Sequence, residues 1–148
     1  MFKHASKEVR MYDHALDGDI SEKNCKVVEA MTNFIQDSSR TLRIVIRDDR
    51  PYEHANIFKV LSQLSCERTN LEIRKATPEF KQEMTNIYNK DINFAVGDLM
   101  SFRMEKVDSD AASSPRGAFC SFNRPDYAKK LASVFDKHFS SCSVIQFS

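Results

Sequence analysis

Tryptophan is absent from this chain, and 148 residues carry only 3 glycines and 4 prolines. So little backbone punctuation excludes collagen-like and low-complexity classes and leaves no Gly- or Pro-rich linker, so elements follow one another through short connections. Three glycines cannot build a dinucleotide fingerprint, and no Walker loop is present. No apolar run approaches the roughly 20 residues that span a bilayer. The first ten residues carry Lys3, Lys7, Glu8 and Arg10 where a secretion signal would be apolar, so a cytoplasmic protein away from membranes is expected. Neither sign of charge dominates: 22 Lys and Arg face 21 Asp and Glu, a formal +1, and the signs stay mixed along the chain. Such a balance lacks the cationic excess that carries most nucleic-acid affinity.

What is present suits one compact core. Hydrophobic residues make up 41% of the chain, and 11 of them are Phe. A chain of this length buries roughly two thirds of its unfolded surface on folding. Residues 1–148 are therefore expected to form a single domain. Cys25, Cys66, Cys120 and Cys142 lie far apart, with no Cys-x-x-Cys and no His at ligand spacing, so neither zinc nor another metal is expected. Without a secretion signal, reduced and mostly buried thiols are the expectation.

Along the chain, Glu8 to Tyr12 alternates as an edge strand, Asp17-Gly18-Asp19 turns, and Ser21 is placed to cap a helix. Val27, Val28, Met31, Phe34 and Ile35 form that helix's buried stripe. Thr41 to Arg47 holds the run Ile44-Val45-Ile46, the mark of a strand covered on both faces and the best candidate for the sheet's centre. Pro51 opens a second helix with Ile57, Val60, Leu61 and Leu64 inward, and Leu71 to Arg74 is a short strand. Thr77-Pro78-Glu79 is a helix start, with Phe80, Met84, Ile87 and Tyr88 inward. Ile92–Val96 and Ser101–Val107 flank Gly97-Asp98 as a hairpin. Asp108 to Gly117 is a long polar loop, Ala118 to Phe122 a strand, and Pro125 opens a last helix with Tyr127, Leu131, Val134, Phe135 and Phe139 on its stripe. The expected fold is α/β: one mixed sheet with helices on both faces.

This element order, closing on Ser121-Phe122-Asn123-Arg124-Pro125-Asp126-Tyr127-Ala128, resembles one half of a phospholipase D-like domain over roughly residues 22–140. In that family a strand carries His-x-Lys, then four residues and Asp; the His attacks a phosphodiester, the Lys grips phosphate oxygens and the Asp supports them. Placing the family's Asp on Asp98 puts its His position at Asp91 and its Lys position at Asn93. A carboxylate at 91 repels a phosphodiester and forms no phosphohistidine, and an amide at 93 brings no positive charge. The family's Gly-Ser-x-Asn segment is also missing after Asp98. The resemblance thus implies a degenerate half with its His-x-Lys motif lost, a pseudoenzyme.

No other catalytic pattern replaces it. There is no Gly-x-Ser-x-Gly elbow, and His4, His14, His54 and His138 have no diagnostic carboxylate or Cys spacing, so no catalytic residue and no cofactor is assigned. Arg47, Asp48, Asp49 and Arg50 follow the central strand, where open α/β sheets receive ligands, or else cap a helix and pair at the surface. Asp98 reads as the surviving family carboxylate or as a turn residue. Arg103 and Arg116, with Arg124, are interleaved with Phe119 and Phe122, a pattern for stacking bases, although Phe on strands ordinarily belongs to the core, as do Phe2 and Phe147 on the same reading. Arg47, Asp48, Asp49, Arg50, Asp98, Arg103 and Arg116 are the candidate partner-binding residues.

The expected function is a non-catalytic α/β module binding a macromolecular partner, foremost a protein, as a bacterial immunity or defence accessory protein does; nucleic-acid binding and an unusual phospholipase D-like phosphodiesterase or nuclease using His54 or His138 are the alternatives. A homodimer is compatible with the sequence.

Overall fold

The computed structural model describes residues 1–14, 25–47, 56–107 and 118–145. The Asp17-Gly18-Asp19 turn, the Ser21 cap, Asp48, Asp49, Arg50, Pro51, the side chain of Ile57, the 108–117 segment with Arg116, and Phe147 lie outside the described residues. The elements run β1 (Glu8–Asp13), α1 (Cys25–Gln36), β2 (Thr41–Ile46), α2 (Asn56–Glu67), β3 (Leu71–Lys75), α3 (Pro78–Tyr88), β4 (Asp91–Gly97), β5 (Ser101–Val107), β6 (Ala118–Ser121), α4 (Pro125–Phe139) and β7 (Ser143–Val144). They build one mixed sheet of order β6-β5-β4-β1-β2-β3-β7. Strands β1, β2 and β3 are mutually parallel, and β4, β5, β6 and β7 each pair antiparallel with their neighbours.

Because side chains alternate between faces along a strand, each face of the sheet has its own core. On one face Val9, Met11, Leu42, Ile44, Ile46, Leu71 and Ile73 pack with Met31, Phe34 and Ile35 of α1 and Leu61 of α2. On the other, Tyr12, Val45, Ile92, Phe94, Val96 and Phe102 pack with Phe80 and Met84 of α3 and Ala128, Leu131, Ala132, Phe135 and Phe139 of α4. The expected mixed sheet with helices on both faces is thus the observed architecture.

β2 sits where its apolar run places it, with Ile44, Val45 and Ile46 all fully buried. β1 departs from its edge-strand reading: it lies between β4 and β2. Its polar alternation is absorbed under α4, where Arg10, 7% exposed, meets Asp136 at 2.8 Å and Glu8 at 3.0 Å. α3 starts as its sequence dictates. The Thr77 hydroxyl accepts the Phe80 N–H at 3.2 Å, Pro78 opens the helix, and Asn89 at φ 54 ends it in the left-handed region.

Several expected core residues are outside it. Ile87 is exposed because α3 buries the line Phe80 and Met84, with Tyr88 half-buried, and leaves Ile87 beside it. Tyr127 stacks on Phe102 at 5.7 Å, carries the Arg124 guanidinium at 4.6 Å and stays half exposed, while Ala128 takes the core position. Phe119 and Phe122 are also exposed, at 59% and 53%, since β6 is an edge strand and α4 reaches no farther than β5. Phe2 does pack against the α1 side. Cys142 is buried, but Cys66 and Cys120 are exposed thiols, unlike the buried set expected.

Candidate functional site

The carboxyl ends of the parallel strands and the start of antiparallel β4 meet at one end of the sheet, since Tyr12 pairs with Phe94 and Asp13 with Ile46. Here the chain from β1 proceeds to β2 on one side, while β4 lies on the other, the kind of switch point at which open sheets form a crevice. Arg47, the first residue after β2, fills that place. Its backbone N–H donates to the carbonyls of Asp13 and His14 at 2.9 and 3.2 Å, which fixes the residue at the strand's end.

From there its side chain, 5% exposed, crosses the end of β1. Nη1 donates to the Ile92 carbonyl at 2.8 Å and Nη2 to Asn93 Oδ1 at 3.0 Å. The guanidinium carbon stands 5.5 Å from the Tyr12 ring centroid, within cation–π reach. Asp91, an exposed carboxylate, lies 3.9 Å from Nη1, at the limit of an ion pair. Burial pushes the Tyr12 phenol well above its ordinary pKa, against the opposing pull of Arg47. Asp91 and Asn93 are therefore gathered round one internal cation. Chemically the cluster offers a guanidinium whose Nη1 and Nη2 are engaged with the protein while its buried Nε has no hydrogen-bond partner among the described residues, an amide and a solvated carboxylate.

Asp98 belongs to the other end of β4, about 20 Å away at strand rise. Asp98 and Leu99 both have positive φ, 50° and 63°, and make the hairpin turn. The Asp98 carboxylate accepts the N–H groups of Ser6, Lys7 and Glu8, the last two at 2.9 and 2.8 Å, and the Ser6 hydroxyl at 3.0 Å. Burial raises its pKa, but these three amides outweigh that and hold the carboxyl below the usual carboxylate range. Its N–H returns to the Glu8 carbonyl at 3.0 Å. Gly97 beside it leaves no room for a side chain, because a Cβ there would stand 2.7 Å from Ser101 Oγ and 3.3 Å from Ala5. Asp98 is thus a turn residue that also clamps the amino-terminal segment to the hairpin.

Arg103 is half-buried on β5, opposite Ala95 on one side and Cys120 on the other, and stands apart from Arg47 and Asp98. Asp48, Asp49, Arg50 and Arg116 fall outside the described residues. His54 lies outside the described residues, and His4 and His138 stand in different places. His4 packs tilted against Phe122 at 4.8 Å, and His138 stacks on Phe80 at 4.8 Å while its Nε2 meets Glu83, which also accepts from Lys137 Nζ. Lys137 first and His138 second hold the Glu83 carboxyl below its usual range. Among the described residues no group of three or more His, Cys, Asp or Glu is placed to hold a metal ion. Among them too, no helix is long and apolar enough to cross a membrane.

The reading of the sequence missed one cluster. Arg10 and Arg43 of neighbouring strands share Asp136 of α4 and Glu8, with Arg10 in a two-pronged pair at 2.8 and 3.0 Å and Arg43 meeting Glu8 at 2.8 Å. Nothing local marks it, since the partners lie 126 residues apart.

No family model matches the chain, and no curated protein matches it. Solved structures do. TrmBL2, an archaeal chromatin protein whose structure is described as showing a novel mode of DNA binding, superposes with a TM-score of 0.62 at 10% identity over 97% of this chain and 46% of that one. A polyphosphate kinase from Porphyromonas gingivalis superposes with a TM-score of 0.58 at 11% identity over 97% of this chain and 23% of that one. The chain spans less than half the length of either. At such identities the likeness is one of fold: the whole described chain is built like part of these two larger proteins.

Proposed function

We propose that this chain is a degenerate phospholipase D-like half that has become a non-catalytic binding module, acting on a protein partner. The observation that carries the reading is the engagement of Asp91 and Asn93 by Arg47 in the place where the resemblance puts a nucleophilic imidazole and its cationic helper. A buried guanidinium that donates to Ile92 and Asn93 is internal structure; drawing it onto a phosphodiester would leave both acceptors unpaired. Further support comes from the fold shared with the polyphosphate kinase, a member of the phospholipase D superfamily. The near-neutral charge favours a protein over a polyanion as partner.

The test is direct. Purified chain incubated with a model phosphodiester, alone and with added nucleic acid, is expected to give no turnover above buffer. Turnover that disappears on Asp91→Ala would sink the reading. A second reading, nucleic-acid binding without catalysis, draws on the DNA-binding description of the archaeal neighbour. It requires binding that falls steeply with salt, with a slope of about 0.9 per neutralised phosphate.

A further inference from the structure

Among the described residues, the β6 edge carries a surface that no other element covers. β6 ends the sheet, pairing with β5 alone among the described residues. On and beside it stand Phe119, Phe122 and Tyr127, each at least half exposed, with Met100 next to them. They surround the edge strand: Phe119 shares the α4 face with Met104 and Phe102, and Phe122 packs against His4 of the amino-terminal segment. The Arg124 N–H donates to the Met100 carbonyl at 3.0 Å, the Arg124 guanidinium covers the Tyr127 ring at 4.6 Å, Tyr127 stacks on Phe102, and Phe102 is the cross-strand partner of Ser121. Isolated exposed apolar residues are ordinary, but contiguous aromatics on an open strand mark an interaction surface.

The surroundings are cationic. Arg103 lies beside Cys120 across the strand pair, Arg124 follows the strand, and Lys129 and Lys130 are exposed on the first turns of α4. Arg124 and Asp126 neutralise each other through a two-pronged bond at 3.0 and 2.9 Å, which leaves Arg103, Lys129 and Lys130 opposed by Glu105 among the described neighbours. The two sides of the edge differ. Phe119 shares a face with Met104 and Phe102, whereas Cys120 shares the opposite face with Arg103.

From this we infer that β6 receives an extended acidic segment of a protein partner as an added strand, with apolar side chains toward Phe119 and carboxylates toward Arg103. Backbone pairing to an open edge gives such a complex its affinity, and the alternating faces give it specificity. This inference rests on the binding-module reading and names its surface and partner chemistry. A single-stranded nucleic acid would use the aromatics and cations but leave the strand's backbone edge unpaired, so the free edge favours a peptide.

A displayed library of short random peptides, panned on the whole purified chain, tests it. Enriched sequences are expected to alternate acidic with apolar residues, and a synthetic peptide from the selection should slow amide exchange at residues 118–121. Phe119→Ser with Phe122→Ser should weaken that peptide about tenfold, the loss typical of anchor aromatics, without moving the melting temperature. Should that pair fail to fold, Arg103→Glu serves instead, weakening the acidic peptide while restoring binding to its Lys-for-Glu counterpart. The inference is overturned by no enrichment, by binders indifferent to these variants, by oligothymidylate binding more tightly than any peptide, or by self-association of the chain that the Phe variants abolish. Binders that respond to Asp48→Lys with Asp49→Lys instead would remove the β6 surface and leave the binding-module reading standing.

Discussion

Arg47 is a charge taken out of water whose carboxylate partner Asp91 stands 3.9 Å away, so its stability leans on hydrogen bonds to Ile92 and Asn93 and on the Tyr12 ring. Arg47→Met keeps much of the apolar stem but leaves the Ile92 carbonyl and the Asn93 amide without their donor. It is expected to destabilise the fold by about 2–4 kcal/mol, read as a lower urea midpoint at unchanged slope. Arg47→Lys should fall between the two, since one ammonium cannot span both acceptors as a planar fork does. A midpoint unmoved by Arg47→Met would mean that the guanidinium contributes nothing to the fold. Asp98 makes a different prediction, in pH. Its folded pKa lies below the unfolded value, so the carboxylate's contribution is present above the ordinary carboxylate range and fades as the pH falls through the folded value. Wild type should therefore exceed Asp98→Asn by about 2 kcal/mol at neutral pH, and the gap should close as the pH drops below about 4. A gap that persists unchanged into acid would show that it does not arise from the charge of the Asp98 carboxylate.

At the scale of elements, α3 shows how local chemistry sets a boundary. Thr77→Ala removes the acceptor for the Phe80 N–H and should lower stability by about 1 kcal/mol, whereas Thr77→Ser should be nearly silent because Ser caps as well. The same locality explains what could be read from the residues alone. β2 declares itself through three consecutive buried β-branched residues, and α3 through Thr77 and Pro78; both are signals carried within a few positions. β1 misleads because Arg10 and Glu8 look solvated in sequence, and only a helix 126 residues away supplies the acid that lets Arg10 be buried. Phe119 misleads in the opposite sense: its alternation is that of a strand, but whether a strand is covered depends on the reach of α4, which periodicity does not encode. The candidate site shows the same division. The absence of a His and a Lys at positions 91 and 93 is visible in the sequence, and Asp98 as a turn residue follows from Gly-Asp chemistry. The crossing of Arg47 over β1 to reach β4 depends on the strand order, which the sequence leaves open.

For the whole molecule, one sheet serving as the floor of two cores has consequences for how it comes apart. β1 and β2 carry residues of both cores, with Val9, Leu42, Ile44, Val45 and Ile46 fully buried, so neither helical layer can leave without exposing a face of the same strands. The edges are different: β6 is mostly exposed, and β7 is two exposed residues paired only to β3. Native-state hydrogen exchange should therefore be graded across the sheet rather than along the chain. Amides of β1 and β2 are expected to exchange only through global unfolding, those of β4 nearly so, and those of β6 and β7 through local opening at much lower free energy. Far-ultraviolet ellipticity and the near-ultraviolet signal of buried Tyr12, followed in urea, should then share one midpoint, because the strands that bear Tyr12 and its neighbours cannot melt separately. If β6 amides proved as slow as those of β2 in the free chain, the edge would already be covered, and the strand-addition surface would have no vacancy to fill. Two separated midpoints would show that the α1–α2 and α3–α4 layers unfold independently, which a common floor of β1 and β2 does not allow.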